Sequence, residues 1–92
     1  MSTDCEGYQL NGENFDIKYR IDGEVFWVRV SREAVADYYN LTGGAREKFA
    51  EQQDDICRKI GVDIATRKTR GQRPAARSVV KSIDFARIMK EA

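Results

Sequence analysis

From residue 15 to residue 21, Phe15, Ile17, Tyr19 and Ile21 alternate with Asp16, Lys18 and Arg20. A period of two marks a strand with one buried face. Asp22-Gly23 comes next, a pair suited to a two-residue type I′ hairpin turn, in which both central positions need positive φ. Residues 24–30, Glu-Val-Phe-Trp-Val-Arg-Val, supply the returning strand. A turn of two residues fixes the register: Ile21 faces Glu24, Tyr19 faces Phe26, Ile17 faces Val28 and Phe15 faces Val30. One face thereby gathers the apolar side chains. The other sets Arg20 against Val25, Lys18 against Trp27 and Asp16 against Arg29, a pattern that predicts a cation–π contact and a cross-strand ion pair.

Past the hairpin the period changes to that of helices. Ser31 is placed to cap a helix over 32–39, with Glu33 in its first turn and Ala34, Val35 and Tyr38 as its apolar stripe. Asn40 to Gly44 end it. A longer helix starts near Ala45, with Phe49, Ile56 and Ile60 recurring on one side. It either stops at Gly61, with Val62 as the apolar contact after the cap, or runs on to about Thr66 with Ile64 continuing the stripe. Val79 and Val80 point to a short third strand beside the hairpin. Ser82 is placed to cap a last helix over 83–91, lined by Ile83, Ala86 and Met89. Residues 1–14 carry little apolar content and read as a tail or an edge segment, with a short strand near Tyr8–Leu10. Residues 15–92 then form one domain. The fold class expected is α+β: an antiparallel sheet of about three strands with two to three helices packed on one face.

Charge changes this picture. The chain holds 16 Lys and Arg against 15 Asp and Glu, a net charge of +1. Six of the basic residues, Arg67, Lys68, Arg70, Arg73, Arg77 and Lys81, fall in one segment without a single acidic residue. Leaving that segment out gives ten basic against fifteen acidic residues, a balance of −5. A near-neutral total therefore hides an acidic body with a basic loop at 67–81, whose Gly71 and Pro74 imply mobility. Such asymmetry points to an anionic partner, either a nucleic-acid backbone or an acidic protein surface. Arginines outnumber lysines there, which suits bidentate capture of phosphate or carboxylate. No aromatics are interleaved with them, so base stacking is not expected within the segment. A purely solvated loop that balances the acidic body is the plainer alternative.

A second candidate surface is the hairpin face opposite the core, where Trp27 stands with Lys18 and Arg29 as a protein-contact patch unless another element covers it. Tyr39, beside Tyr38, is a further candidate contact. Cys57 sits among helical apolar residues and reads as core, whereas Cys5 lies in a polar stretch; two such cysteines make a disulfide framework improbable and favour a reducing cytoplasm.

The chain has no His. The commonest general base and the Ser-His and Cys-His pairs are thereby excluded, as are most zinc sites. Gly43-Gly44 precedes Ala-Arg, not the Lys-Ser/Thr of a phosphate loop. Asp54 and Asp55, adjacent on a helix, diverge by about 100° and do not converge on one metal. No catalytic residue, metal ligand, cofactor or small-molecule substrate follows from these residues, and no apolar run is long enough for a membrane span.

The stretch Phe15–Phe85 resembles a short bacterial domain family of unknown function, on Val30-Ser31-Arg32-Glu33-Ala34, on Phe49 with Ile56, and on Ile83-Asp84-Phe85. That resemblance implies a fold and no activity. In size, lone compact domain, missing catalytic groups and split charge, the chain is also similar to phage-encoded anti-CRISPR proteins. This second resemblance implies a non-enzymatic inhibitor, in the host cytoplasm, that docks on a larger protein or ribonucleoprotein complex and blocks nucleic-acid access. It would set Arg67, Lys68, Arg70, Arg73 and Arg77 on the guide-RNA backbone of a CRISPR surveillance complex or on an acidic Cas surface, and the acidic helix in the path of DNA. The alternative is a bacterial accessory domain that binds nucleic acid weakly through 67–81.

Overall fold

The computed structural model describes residues 3–72 and 75–91. Strand β1 spans Thr3–Asn11, β2 Asn14–Ile21 and β3 Glu24–Ser31. Helices α1 (Arg32–Tyr39), α2 (Ala45–Glu51) and α3 (Gln53–Thr69) follow, then β4 (Arg77–Val80) and α4 (Ser82–Glu91). The fold is α+β, with a mixed four-stranded sheet in the order β1-β2-β3-β4. The first three strands form an antiparallel meander, and β4 lies parallel to β3. Parallel pairing needs a crossover connection of a dozen or more residues, and the three helices between β3 and β4 supply one.

The central hairpin has the register expected from its turn, with Ile21 opposite Glu24, Lys18 opposite Trp27 and Asp16 opposite Arg29. Asp22 at φ 50° and Gly23 at φ 85° are both left-handed, as a type I′ turn requires. The other hairpin turn, Gly12-Glu13, has positive φ at the glycine, 63°, the glycine-first pattern of type II′. The segment 1–14, expected as tail or edge, thus supplies the edge strand β1. A bulge shifts the register between Cys5 and Tyr8, with Gly7 at φ 108°. Because of it Cys5 and Tyr8, three apart, both fall on the face of Tyr19 and Ile17.

Among the described residues all buried side chains but one belong to a single core between one sheet face and the helices: Phe15, Ile17, Tyr19, Phe26, Val28 and Val30 from the meander, with Val35, Phe49, Ile56, Ile60, Phe85 and Ile88 from above. Phe15 and Phe49 stack with ring centroids 4.2 Å apart and planes 3° apart, and Tyr8 closes on Phe49 at 4.6 Å. The buried Tyr19 hydroxyl donates to the Cys57 carbonyl at 2.7 Å, which ties the sheet to the middle of α3. Burial is also the main reason its pKa is pushed far up, so it stays a neutral donor. Ser31 caps α1 as expected, its hydroxyl accepting from the Ala34 amide at 3.0 Å.

Three readings of the helices change. The long helix is two: Gln52, at φ −101° and ψ 14°, breaks it, and α3 then runs through Gly61 to Thr69. In α4 the buried side is Phe85, Ile88 and Met89, while Ile83 is 83% exposed. Ser82 opens α4, and its hydroxyl donates to Asp37 of α1 at 2.8 Å. Among the described residues no helix is long and apolar enough to cross a membrane.

Replacing Phe49 by Ala removes the partner of Phe15 and leaves a cavity where three rings meet. We expect a loss of about 3–5 kcal/mol in urea unfolding, against a total near 5–15 kcal/mol for a domain. A loss below about 1 kcal/mol would contradict the role given to this stack.

Candidate interaction surface

Among the described residues every helix packs on one side of the sheet, and no element covers the opposite side. Its side chains come from alternate positions of four strands. Lys18, Trp27 and Arg77 lie in one cross-strand row, since Lys18 pairs with Trp27 and Trp27 with Arg77. The next row holds Gln9, Asp16, Arg29 and Val79. Asp4, Arg20 and Val25 form the row on the other side. Trp27 is half-buried and central, with the Lys18 Nζ 5.9 Å from its ring centroid. Val79, on the edge strand β4, is 59% exposed. Trp27 also fixes β4 in place: its amide donates to the Ala76 carbonyl at 2.8 Å.

The charges on this face are organised by two carboxylates. Asp16, only 8% exposed, accepts from Arg29 Nε at 2.9 Å, Arg29 Nη2 at 3.2 Å and Asn11 Nδ2 at 3.1 Å. The hydrogen bonds from Arg29 hold its carboxyl below the ordinary value of 3.8; burial opposes them, and the Asn11 bond and the charges of Arg29 and Arg77 add to them. The same pairing pushes Arg29 up. Glu6, brought onto this face by the bulge, sits 3.3 Å from Arg20 Nε and 3.5 Å from Lys18 Nζ. Its carboxyl is lowered, chiefly by the Arg20 hydrogen bond. Cations outnumber carboxylates around Trp27, and Arg77 has no carboxylate within ion-pair reach among the described residues.

The basic segment does not form one strip. Arg67 and Lys68 belong to α3, Arg77 begins β4, and Lys81 follows it, so only part of 67–81 is loop. Arg67 pairs with Asp63 at 3.2 Å. Lys68 reaches Asp22 and Glu24 of the hairpin turn, each at 3.5 Å, and lies over the Phe26 ring at 6.0 Å. Arg70 ends α3, and neither it nor Lys81 has an ion-pair partner among the described residues. Arg73 lies outside the described residues. Of the five described cations of the segment, Arg77 is the one paired with Trp27 in the same cross-strand row.

Trp27, Lys18 and Arg29 come together as the sequence grouped them, and Tyr39 does not join them. It sits on α1 in the helix layer, 4.8 Å from Tyr38 in an edge contact, with Lys48 Nζ 5.2 Å above its ring. Its hydroxyl is buried without a hydrogen-bond partner among the described residues, and burial, then the Tyr38 hydroxyl and the carboxylates of Asp55 and Glu51, push it up to about 12.

Two further features were not legible as sites. An apolar groove of about 690 Å³ runs between β1 and α3, with Cys5 and Cys57 in its wall. Cys57 is core, as expected; burial first, then the Cys5 thiol beside it, push it up to about 12. Asp63, Thr66, Arg67, Arg70, Gln72 and Arg87 line a polar pocket of about 550 Å³. The Asp63–Arg67 pair has helical i,i+4 spacing and is readable in the chain, but Arg87 reaches Asp63 only through the packing of α4 on α3. Among the described residues no three His, Cys, Asp or Glu side chains gather to hold a metal ion. No protein-family model, curated protein or solved structure matches the chain.

Two outcomes follow from these environments. Asp16 has a native pKa below its unfolded value of 3.8, so its pairing stabilises the fold fully above that value and the gain is lost as pH falls through the native one. The stability gap between wild type and Asp16→Asn should therefore be constant near neutral pH and shrink below pH about 4, read by thermal unfolding across pH. In the native protein at neutral pH, iodoacetamide should alkylate the exposed Cys5, while Cys57 reacts only on unfolding; mass mapping of both thiols checks this.

Proposed function

We propose that this chain is a non-enzymatic binding domain that docks on a larger nucleoprotein complex through its uncovered sheet face and blocks nucleic-acid access there by its bulk, as an anti-CRISPR-like inhibitor does. The observation that carries the proposal is the row Lys18–Trp27–Arg77 in the middle of a sheet face that, among the described residues, no helix covers. A tryptophan among cations, with valines beside it, is the composition of an interface centre, where aromatic and arginine side chains contribute most. The Asp16–Arg29 and Glu6–Lys18–Arg20 pairs hold the neighbouring side chains in fixed positions, which lowers the ordering cost of docking. An anionic partner suits the surplus of positive charge at this row, and RNA held in a protein complex supplies both phosphates and a protein surface.

The second reading is weak binding of nucleic acid alone through the basic segment. Arg70, Arg77 and Lys81 favour it, having no ion-pair partner among the described residues. Arg67 and Lys68 count against it, since each already faces carboxylates of its own chain.

Trp27 is the single tryptophan, so its emission reports directly on this face. Titration with a purified CRISPR surveillance complex carrying guide RNA should shift that emission. Trp27→Ala, followed by a label placed elsewhere, and Arg77→Ala should each weaken association by about tenfold or more, roughly 1.4 kcal/mol. Variants that associate as tightly as wild type, or no association at all, would overturn the proposal. Tight binding to naked single-stranded RNA with a steep salt dependence would favour the second reading instead.

A further inference from the structure

We propose that Cys5 of β1 and Cys57 of α3 form a redox pair that closes to a reversible disulfide in the folded protein. The pair lies on the helix side of the sheet, away from Trp27, so it goes beyond the docking proposal. Both thiols are free in the structure, with Cys5 exposed and Cys57 buried. They belong to facing walls of the apolar groove of about 690 Å³ between β1 and α3.

The fold brings together two cysteines that are far apart in the chain. Cys5 is opposite Tyr19 in the β1–β2 pairing, and the bulge that follows keeps it on the core side along with Tyr8. The Tyr19 hydroxyl donates to the Cys57 carbonyl at 2.7 Å. Tyr19 therefore adjoins both cysteines, one beside its backbone and one at the tip of its ring. The Cys5 thiol reaches across to that of Cys57 and shares a hydrogen bond with it. A disulfide needs its two β-carbons about 3.5–4.5 Å apart, and thiols already in contact need only a small shift to bond.

Accessibility sets the order of events. A small-molecule disulfide such as oxidised glutathione meets the exposed Cys5 first. The Cys5 thiolate attacks one of its sulfurs; that S–S bond breaks, and one glutathione thiolate leaves and takes up the proton that Cys5 lost. Cys57 then gives up its proton and attacks the Cys5 sulfur of the mixed disulfide. The second glutathione is expelled and takes that proton. Two protein thiols have lost two electrons and two protons, and one glutathione disulfide has become two thiols. The new bond closes a loop of about fifty residues and ties the edge strand β1 to α3. Because Cys5 is at the surface, the bond stays open to attack by a thiol, which reverses it.

The test treats the reduced full chain with oxidised glutathione in native buffer, then blocks free thiols with iodoacetamide in urea and reads masses. Wild type should end as a monomer lighter by two hydrogen atoms and free of alkyl groups, with the peptides of Cys5 and Cys57 joined. Dithiothreitol should restore two alkylatable thiols. The oxidised protein should unfold at a higher urea concentration than the reduced one. Cys57→Ala should stop at a glutathione adduct on Cys5. Cys5→Ser, at an exposed position that leaves the core intact, should take up glutathione at least about tenfold more slowly than wild type, since Cys57 is buried. Wild type and Cys5→Ser carry the test without Cys57→Ala, whose site is in the core. A wild-type product that stops at the Cys5 adduct, a dimer linked through Cys5, a link that forms only in urea, oxidised protein no more stable than reduced, or uptake by Cys5→Ser at the wild-type rate would each overturn the proposal.

Discussion

The two-residue turn at Asp22-Gly23 is the constraint on which the rest of this fold depends. With both residues at positive φ, the register of β2 on β3 admits no slack. A slip of one residue exchanges the faces of a strand. It would bring Phe26, Val28 and Val30 to the bare side and Trp27 and Arg29 into the core. The correct pairing therefore does two things at once. It completes an apolar surface for the helices, and it assembles a polar one that contains the tryptophan.

The two sides of the sheet are built by different physics. On the helix side, burial and ring stacking dominate, with the Tyr19–Cys57 hydrogen bond satisfying the largest buried polar group. On the bare side, side chains are arranged by ion pairs that are individually weak because they are partly exposed. Asp16 is the exception, nearly buried and held by two partners. It anchors Arg29 next to Trp27, while Arg77 of the adjoining row acts on its charge without a close ion pair among the described residues.

How much of this could be read from the chain varied with how local the cause was. The hairpin and α1 were legible because a turn pair, a strict alternation and a capping serine each act over a few residues. Strand β1 was legible only in part: its alternation is broken at Glu6-Gly7, and the bulge puts Cys5 and Tyr8 on one face although they are an odd number apart. The Gly12-Glu13 turn carried a usable signal in its leading glycine. The choice of buried side on α4 had no local cause, since Ile83 and Phe85 are equally apolar and the edge contact of Phe85 with Tyr38, 5.5 Å away, is tertiary. The same holds for the basic residues. Their clustering along the chain was plain, but α3 extends to Thr69 and β4 begins at Arg77, so the segment is divided among a helix, a cap and a strand that face different ways. Of the proposed surface, Trp27, Lys18 and Arg29 were foreseeable from the hairpin, whereas the place of Arg77 depended on a parallel pairing across three helices.

That parallel pairing has a consequence for the order of synthesis. Strand β3, with Val25, Phe26, Trp27, Val28 and Val30, is the most apolar of the four, and its outer edge is covered only when β4 arrives about fifty residues later. On the ribosome, that edge waits with unpaired amides and carbonyls while the intervening helices are still being made. A long exposed edge of this composition templates pairing between nascent chains. Crowded polysomes and high-level expression are therefore the conditions in which this small protein is most exposed to self-association, before β4 is available to close its sheet.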